Sequence, residues 1–327
     1  MITEKKLNQT LHIAKTSKKD EFYTNFSDIE NELIHYKEHF KNKVVFCNCD
    51  DPRNSNFFNY FACNFEYLGL KKLITTCYKN QEKDLFVQEK SENAIFLEYT
   101  GDKNGNKIPD IEEIGIKYLK GDGDFRSQES IELLKQSDII VTNPPFSLFR
   151  EYVGQLVKYQ KKFLIIGNIN AITYKEIFNL IKENKAWLGI NMGRGISGFI
   201  VPDHYELYGT EARIDSSGNR VISPNNCLWL TNLDTSKRHE DIVLTKTYYG
   251  NESQYPKFDN YDAINVDKTK DIPMDYDGIM CVPITFLHKF NPAQFELIKF
   301  RKGNDDKDLS INGKCPYFRI LIKNKKL

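Results

Sequence analysis

This sequence lacks an excess of charge of either sign, and it lacks any apolar run of transmembrane length. Its 327 residues carry 46 Lys and Arg against 45 Asp and Glu, a net charge of +1. That balance excludes a histone-like protein with a positive field over its whole surface, so any binding of anions must be local. The N-terminal text MITEKKLNQTLHIAKTSKKDEFYT has no uninterrupted apolar core of a signal peptide. A cytoplasmic protein without a membrane partner is therefore expected.

Closely paired cysteines are also scarce. The chain has seven cysteines, an odd number, which in a reducing compartment indicates free thiols rather than a disulfide framework. Only Cys47 and Cys49 are close in sequence, and no second pair of Cys or His stands at the spacing of a zinc site. We therefore expect no bound metal, and we expect these two thiols on alternate sides of a strand.

What the sequence does have is an apolar content of 40%, enough to bury the core of one large domain with a smaller appendage. From Lys43 to Lys185, strand-like pieces alternate with helix-like ones, which predicts an α/β fold with a mostly parallel sheet and helices on both faces. The text from about Lys79 to Lys120 is polar and broken. After Trp187 the pieces WLGI, GFIVP and NCLWLTNL predict antiparallel edge strands that complete the sheet.

The character of the sequence changes again beyond about Asp234, where aromatic, loop-like text leads into a Lys-rich end. We therefore predict residues 1–234 as one domain and residues 235–327 as a smaller C-terminal region.

Two stretches match ligand-binding motifs but lack the required context. GRGISG, residues 193–198, has the spacing of a dinucleotide-binding loop, but FIVPDH follows it where a helix should begin. A loop that carries Arg194 is the better interpretation. DKNGNKIPDIEE, residues 102–113, begins like a calcium loop, but Lys107 stands where that loop needs Gly. We interpret it as a surface turn.

The stretch SDIIVTNPPFSLFREY, residues 137–152, places an amide, two prolines and an aromatic ring directly after an apolar strand. In open parallel sheets, ligands bind at such strand ends. Proline fixes its own φ and keeps the preceding residue extended, so Asn143 and Pro144 stay out of the following helix. Two acceptors result, the Asn143 side-chain oxygen and the Pro144 carbonyl, and Pro145 and the ring of Phe146 follow them. The structural alternative is that the prolines only terminate a strand.

This arrangement fits a planar group that bears an NH2. Two acceptors that hold its hydrogens favour a pyramidal nitrogen with a free lone pair, and stacking on Phe146 contributes about 1–3 kcal/mol per base. Positioning against an electrophile contributes on the order of 7–11 kcal/mol, so the motif can act without an acid or base of its own. The sequence therefore predicts Asn143, Pro144, Pro145 and Phe146 as catalytic residues.

Other stretches resemble a known family. NPPF resembles the Asn/Asp-Pro-Pro-Tyr/Phe motif of the S-adenosylmethionine-dependent amino-methyltransferases. DEFYT, residues 20–24, resembles their N-terminal motif, and GDF, residues 123–125, resembles the motif after their third strand. Longer stretches, such as CNCDDPRNSNFFNYF, HYELYGTEARIDSSGNR and FNPAQFELIKFRKG, resemble the EcoRI-type adenine-specific DNA methyltransferases, and the likeness covers nearly the whole chain.

The resemblance implies a Rossmann-like methyltransferase fold with a smaller C-terminal DNA-recognition part. It implies methylation of adenine N6 in double-stranded DNA, with S-adenosylmethionine as cofactor and GAATTC as the site associated with the family's namesake. It further implies a cognate restriction endonuclease that forms no stable complex with the chain. A monomer suffices if one strand of a palindrome is methylated at a time.

The resemblance assigns cofactor contacts to two matched motifs. The N-terminal motif offers Phe22, Tyr23 and Thr24, where the methionine end of the cofactor is held; the two aromatic residues are core residues in the alternative interpretation. The motif after the third strand offers Asp124 and Phe125, near the cofactor adenine, and Asp124 is a turn residue in the alternative interpretation.

A third place departs from the usual pattern of methyltransferases. CNCDDP, residues 47–52, replaces the glycine-rich motif after the first strand, and ITTCYKN, residues 74–80, has no acid for the ribose hydroxyls. Asn48 and Asp50 are the candidate cofactor contacts at this turn. Asp50 or Asp51 substitutes for the missing acid or caps the following helix, and both roles stay open.

A base inside a duplex cannot reach a pocket at a sheet edge, so the hypothesis requires the adenine to flip out, at a cost of about a few kcal/mol. We expect DNA contacts from a loop at about residues 191–226 and from the C-terminal region. Candidates for reading base edges are Arg194, Arg213, Arg220, Asn225 and Asn226, and candidates for holding phosphates are Lys299, Arg301 and Lys302. Lys15, Lys18 and Lys19 either touch the DNA backbone or form a solvated face.

Two other functions stay open at this stage. An amide NH2 also suits the acceptor pair, so the same motif fits a methyltransferase that acts on RNA or on a protein glutamine. A relative whose catalytic site has decayed would bind DNA without activity. Failure to bind S-adenosylmethionine would favour this inactive relative.

Overall fold

The computed structural model describes residues 23–49, 55–76, 94–105, 109, 113–192, 196–201, 212–215, 218–222, 226–301, 309–314 and 319–327. The chain forms two compact units. The first comprises Met1–Ala171 and Asn191–Leu233, and the second comprises Ile172–Ile190 and Asp234–Leu327. The division into domains 1–234 and 235–327 stays a prediction.

Strands and helices alternate along most of the first unit. In chain order the strands are β1 Tyr23–Thr24, β2 Val44–Cys47, β3 Lys72–Thr76, β4 Ile95–Tyr99, β5 Gly115–Tyr118, β6 Ile139–Thr142, β7 Lys162–Asn168, β8 Trp187–Met192, β9 Phe199–Val201, β10 Ala212–Ile214, β11 Arg220–Ile222, β12 Cys227–Thr231, β13 Ile264–Asn265, β14 Met280–Pro283, β15 Phe295–Arg301 and β16 Arg319–Asn324. The α-helices are α1 Phe26–Leu33, α2 Lys37–Phe40, α3 Asn56–Cys63, α4 Phe65–Leu68, α5 Gln128–Gln136, α6 Phe149–Lys158 and α7 Lys175–Lys182. Short 3₁₀ helices lie at Ile34–Tyr36, Phe146–Leu148, Ile169–Thr173, Ser236–His239, Glu252–Gln254, Thr269–Asp271 and Ile284–Lys289.

The main sheet has the strand order β5-β4-β3-β2-β6-β7-β12-β8. Strands β3, β2, β6 and β7 are parallel neighbours. Strand β4 pairs antiparallel with both β3 and β5, so β5 runs in the same direction as β3. Strand β12 pairs antiparallel with β7. The boundary of the two units falls within edge strand β8, whose last residues, Asn191 and Met192, belong to the first unit. This mixed sheet with helices confirms the predicted α/β fold class.

The central strands are apolar because both of their faces are covered. All residues of β2, β6 and β12 are buried, the pattern of strands with no face toward water. Helix α3 begins after Ser55, whose Oγ accepts a hydrogen bond from the Phe58 backbone N–H at 3.1 Å. Its Phe57 ring then meets the Trp229 ring of β12 edge-on, with centroids 6.0 Å apart. The core of the first unit lies around these contacts.

Two strands differ from the sequence-based prediction. The prediction that GFIVP completes the main sheet is wrong, because β9 pairs antiparallel with β1 and β11 in a separate sheet of order β1-β9-β11-β10. With three residues and a half-exposed central one, β9 suits a small sheet, whereas the five buried residues of β12 fit beside β7. Strand β4 lies within the polar stretch after Lys79, which the sequence did not single out as a strand.

The cysteines are free thiols wherever the structure describes them, namely Cys47, Cys49, Cys63, Cys227 and Cys281. The expected alternation of Cys47 and Cys49 across a strand is wrong, because β2 ends at Cys47 and Cys49 lies in the turn that follows. In the described ranges no cluster of three or more His, Cys, Asp or Glu side chains is placed to hold a metal ion. Likewise, none of the helices described is long and apolar enough to cross a membrane.

Helix α6 lies against β7 at a point where only glycine fits. A Cβ added to Gly167 would lie 2.6 Å from the ring of Phe149, the first residue of α6. Real Cβ atoms do not approach other carbons so closely, so the ring occupies the space that a side chain at 167 would need. The first residue of α6 thus packs directly on β7, shortly after the Asn-Pro-Pro-Phe motif.

The second unit has its own sheet, of order β13-β14-β16-β15, in which β13 and β14 are parallel and the other pairs antiparallel. Helix α7 joins it through the Phe178 ring, whose centroid lies 5.6 Å from that of Phe300 on β15. The Lys182 Nζ also donates to the Ile298 carbonyl at 2.7 Å. These contacts explain why Ile172–Ile190 belongs to the second unit.

Candidate active site

The site lies at the edge of the main sheet where its parallel strands end. Asn48 directly follows β2, Asn143 directly follows β6, and the turn with Asp124 and Phe125 follows β5. Because β2, β5 and β6 run in the same direction, their carboxyl ends share one edge of the sheet. Ligands bind at this edge in open α/β sheets.

The Asn-Pro-Pro-Phe motif forms an ordered connection between β6 and α6. Asn143, Pro144 and Pro145 lie in neither helix nor strand, as predicted from their prolines. Asn143 is 9% exposed. The Pro145 carbonyl accepts a hydrogen bond from the Leu148 backbone N–H at 3.0 Å and closes the 3₁₀ turn that starts at Phe146.

The half-buried ring of Phe146 packs against the core of the first unit. It meets the Phe199 ring of β9 edge-on, with centroids 6.1 Å apart. The motif that sequence reasoning singled out is therefore held by a main-chain turn and by a ring from the small sheet. Its catalytic role stays a prediction.

A buried tyrosine joins the turn after β2 to helix α6. The Tyr152 hydroxyl donates a hydrogen bond to the Asn48 Oδ1, and both side chains are buried. The Tyr152 ring also meets the Phe125 ring edge-on, with centroids 5.1 Å apart. One helical turn later, the Gln155 Nε2 donates to the Phe125 carbonyl at 3.0 Å. Tyr152 and Gln155, which sequence reasoning missed, thus bring together Asn48 and Phe125, which it predicted.

Asp124 has the turn role that was its alternative interpretation. Its carboxylate accepts hydrogen bonds from the backbone N–H and the Nε of Arg126, both at 2.8 Å, and from the Arg126 Nη2 at 2.6 Å. The hydrogen bond to Asp124 raises the pKa of Arg126, which also lies 3.4 Å from Glu151 of α6. A role of Asp124 in cofactor binding stays a prediction.

Two buried threonine hydroxyls lie at strands of this region. Thr24 pairs with Phe199 in the small sheet, and its carbonyl accepts a hydrogen bond from the Asn56 Nδ2 at 2.8 Å. Thr76 is the last residue of β3 and is 0% exposed. Neither hydroxyl has a hydrogen-bond partner in the part of the chain that the structure describes. Since buried polar groups are normally bonded, both are suited to contact a polar ligand. Phe22 and Asp50 lie outside the described residues, as does the side chain of Tyr23.

The predicted DNA-contacting residues are distributed over both units. Arg213 on β10 and Arg220 on β11 lie on paired strands of the small sheet. Asn226 precedes β12, and its carbonyl accepts from the Ile169 backbone N–H at 2.6 Å. Lys299 and Arg301 lie on β15 of the second unit, on the same face because they are two residues apart. Arg194, Asn225 and Lys302 lie outside the described residues, and all these contacts stay predictions.

Sequence reasoning missed two buried acids that hold the segment before the small sheet. On α1, the Asp28 Oδ2 accepts from the backbone N–H and the hydroxyl of Ser197, at 2.8 and 2.9 Å. One turn later, the Glu32 Oε2 accepts from the backbone N–H and the Nδ2 of Asn191, at 2.7 and 3.0 Å. The signal was available, because both acids fall on the apolar face of α1 beside Ile29 and Leu33.

Arg213 is hydrogen-bonded to Ser197 of this network, and Asp28 acts electrostatically on Cys227. The Arg213 Nη2 donates to the Ser197 carbonyl at 3.0 Å. Burial raises the pKa of Asp28 above its ordinary value, although the hydrogen bonds from Ser197 oppose the shift. Burial, and then the charge of Asp28, raise the pKa of Cys227 to about 12. That thiol is therefore protonated at neutral pH and is an inert core residue.

Comparison with known proteins identifies the family. The family model described as "Adenine-specific methyltransferase EcoRI" matches residues 10–325. The chain is 70% identical over 320 residues to the Type II methyltransferase M.EcoRI of Escherichia coli, with 98% of each chain covered.

More distant relatives show the same class of enzyme. The chain is 40% identical to the Type II methyltransferase M.MgeORF184P of Mycoplasma genitalium, with 96% of this chain and 98% of that protein covered. It is 37% identical to the Type II methyltransferase M.MpnI of Mycoplasma pneumoniae, with 95% and 97% covered. No solved structure matches the chain. With a family match over nearly the whole chain and an Asn-Pro-Pro-Phe turn at the carboxyl edge of its sheet, the chain belongs to the EcoRI family of adenine-specific methyltransferases and is a site-specific adenine DNA methyltransferase of a type II restriction-modification system.

Proposed function

We propose that this chain transfers a methyl group from S-adenosylmethionine to N6 of an adenine flipped out of duplex DNA, within the sequence GAATTC. The methylation protects the DNA from a cognate restriction endonuclease, and the chain acts as a monomer without a stable complex with that nuclease. The observation that carries the proposal is the Asn143-to-Phe146 turn at the carboxyl end of β6, in a chain that is 70% identical to M.EcoRI over 98% of its length.

On the target side, the Asn143 side-chain oxygen and the Pro144 carbonyl accept hydrogen bonds from the two hydrogens of the adenine amino group. This makes the nitrogen pyramidal and directs its lone pair toward the methyl group. The ring of Phe146 stacks on the base, which offsets part of the cost of flipping, about a few kcal/mol. No residue of the motif need act as a base, because the proton leaves the nitrogen only after the methyl group has been transferred.

On the cofactor side, the residues present fit S-adenosylmethionine, which supplies an electrophilic methyl group when bound. The hydroxyls of Thr24 and Thr76 are buried and have no partner among the described residues, so they suit a ligand with hydroxyl, amino and carboxylate groups. Asn48 and Phe125 lie at the turns after β2 and β5. Phe22, Tyr23, Asp50 and Asp124 are further proposed contacts at the two ends of the cofactor.

For DNA recognition, we assign base reading to the segment between β8 and β12. Arg213 and Arg220 are close in the paired strands β10 and β11, where Arg213 opposes Val221 and Ile214 opposes Arg220. Arg guanidinium groups bind guanine edges with two hydrogen bonds, and Asn side chains such as Asn226 bind adenine. Lys299 and Arg301 on β15 suit phosphate contacts, which position the protein without reading the sequence.

The proposal is tested with tritiated S-adenosylmethionine and plasmid DNA. We expect label in DNA as N6-methyladenine and protection of the plasmid from an endonuclease that cleaves unmethylated GAATTC. A plasmid whose single GAATTC is changed to GTATTC should take up no label. Label in cytosine, or label in RNA or in a glutamine peptide without label in DNA, would refute the proposal. Tight binding of DNA without binding of S-adenosylmethionine would instead identify an inactive relative.

A further inference from the structure

The Asn48 side chain is held from one side by two donors. Its Oδ1 accepts a hydrogen bond from the Tyr152 hydroxyl, and the Cys49 thiol lies 3.8 Å from the same oxygen. Asn48 is 2% exposed and Tyr152 is 0% exposed, so water does not compete for the hydrogen bond between them. Tyr152 is 104 residues away in sequence, on the helix that follows the Asn-Pro-Pro-Phe motif.

These two donors determine which way the amide points. An asparagine has one acceptor oxygen and one NH2 group with two donor hydrogens. When a hydroxyl and a thiol both donate to the oxygen, the NH2 must face the opposite side. Within the described residues, the hydrogen bonds of the Asn48 side chain with Tyr152 and Cys49 both involve its oxygen. Asn48 lies at the sheet edge where ligands bind, so this NH2 group is suited to donate to an acceptor on the ligand.

The sequence around Asn48 gives a reason for such a donor. In methyltransferases with a glycine-rich turn after the first strand, backbone N–H groups approach the ligand closely because glycine has no side chain. This chain has Cys47, Asn48 and Cys49 at that turn instead. A side-chain N–H group held in a fixed direction supplies the kind of donor that the missing glycine-rich backbone would otherwise offer.

We propose that Tyr152 is a positioning residue that orients Asn48, so that its NH2 group donates to the carboxylate of the methionine part of S-adenosylmethionine. This rests on the proposed use of that cofactor. The carboxylate is the strongest acceptor that the cofactor carries, and a hydrogen bond to it is charge-assisted. Tyr152 thereby also links cofactor binding to the helix that follows the target-side motif.

Binding of S-adenosylmethionine by isothermal titration calorimetry, without DNA, tests the proposal. Tyr152→Phe removes the hydroxyl and keeps the ring that packs on Phe125; we expect the Kd to rise about tenfold. Asn48→Asp keeps the acceptor for Tyr152 and replaces the donor; we expect a rise of about thirtyfold or more. Because both act through one hydrogen bond, the double variant should bind within about twofold of Asn48→Asp alone.

Two controls separate positioning from a purely structural role. Tyr159→Phe changes the half-buried tyrosine after the C-terminal end of the same helix and should leave the Kd unchanged. 5′-Methylthioadenosine lacks the carboxylate, so its Kd should be the same for the unsubstituted chain and for both variants. In steady-state assays, Tyr152→Phe should raise the KM for S-adenosylmethionine about tenfold and change kcat less than about threefold.

The outcomes distinguish the possible failures. If the unsubstituted chain does not bind S-adenosylmethionine, both the proposed cofactor and this inference are wrong. If it binds, but Tyr152→Phe lowers the Tm and leaves the Kd unchanged, the hydroxyl is only structural and this inference alone is wrong. Equal weakening of S-adenosylmethionine and 5′-methylthioadenosine binding would overturn the assignment to the carboxylate.

Discussion

The target side and the cofactor side of the site are built in different ways. The proposed target side is one stretch of four consecutive residues, Asn143 to Phe146, at the end of a single strand. The proposed cofactor side draws on β1, on the turns after β2 and β5 and on the end of β3, which are far apart in the sequence. A contiguous motif concentrates its chemistry in few atoms, whereas a dispersed site shares binding energy among many. Single substitutions should therefore have larger effects on the first side than on the second.

The largest effect is expected for Asn143→Ala. It removes one of the two proposed acceptors for the adenine amino group, so kcat should fall about 10²–10³-fold. The Kd for S-adenosylmethionine should stay within about twofold, because Asn143 belongs to the target side. Labelled methyl transfer and calorimetry measure the two quantities. Asn179→Ala on α7, an exposed asparagine, is the matched control, and full activity of Asn143→Ala would contradict the assignment.

The next largest effect is expected on stability, at the packing of helix α6 on β7 next to the target-side motif. Gly167→Ala places a methyl group 2.6 Å from the Phe149 ring, and such overpacking costs about 1–3 kcal/mol. The free energy of unfolding, measured with urea, should fall by this amount. Gly154→Ala on α6, where nothing lies within 4 Å of the added Cβ, is the control and should be neutral or stabilising. Equal stability of both variants would show that the helix shifts freely on β7.

On the cofactor side, two neighbouring threonines of β3 give a matched pair. The Thr75 hydroxyl donates to the Cys47 carbonyl at 3.1 Å, whereas the Thr76 hydroxyl has no partner in the described part of the chain. Thr76→Val should weaken S-adenosylmethionine binding about three- to tenfold with no loss of stability, since one neutral hydrogen bond contributes about 0.5–1.5 kcal/mol. Thr75→Val should lower the free energy of unfolding and leave S-adenosylmethionine binding unchanged. Calorimetry and urea unfolding of both variants test this, and the opposite pattern would exclude Thr76 from the site.

The smallest effect is a pH dependence of stability from Asp28. Burial raises its pKa in the folded protein, so the folded state binds the proton more tightly than the unfolded state. The free energy of unfolding should therefore fall as the pH rises from about 4 through the raised value. In Asp28→Asn this contribution is absent, so the stability of the unsubstituted chain relative to this variant should decline with rising pH.

Glu98→Gln provides a control of opposite sign for the titration of Asp28. Burial alone would raise the pKa of Glu98, but its hydrogen bonds with Lys117 and Lys72 outweigh burial and lower it. Its contribution should be present above about pH 4.5 and lost as the pH falls through the lowered value. Urea unfolding across this range measures both slopes. A slope of the same sign for both variants would contradict the assignment to Asp28.

Much of the fold could be predicted because it depends on patterns of apolar residues that are close in the sequence. The apolar runs of β2, β6 and β7 and the helical spacing of α7 indicated a parallel sheet with helices before any contact was known. The prediction failed where a short piece could pair with several partners. GFIVP has the composition of an edge strand, and its pairing with β11 and with β1, which begins 176 residues earlier, placed it in the small sheet. Strand β4 was hidden because Glu98, a charged residue, stands within it and is neutralised by Lys72 and Lys117.

The residues of the candidate site also differ in whether local sequence was enough to predict them. Asn143 to Phe146 could be recognised because prolines restrict the backbone within a few residues, whatever the rest of the chain does. The role of Asp124 could not be decided from the sequence, since an aspartate after a strand suits both a turn and a ligand contact. Its hydrogen bonds with Arg126 show that it has the turn role at least. Tyr152 reads as one apolar position of an amphipathic helix, and nothing local indicates that its hydroxyl meets Asn48.

The sequence by itself determined the fold class and the family, and it carries the proposal for the target-side motif, because each depends on residues that are close in the chain or on sequence similarity over its whole length. The tertiary structure decided which distant side chains meet: Tyr152 with Asn48, Asp28 with Ser197, and Phe149 with Gly167. These contacts depend on how the helices pack on the strands and on which polar groups become buried. Such properties arise only when the sheet is assembled, so the orientation of a single buried amide is decided by a helix that begins 101 residues after it.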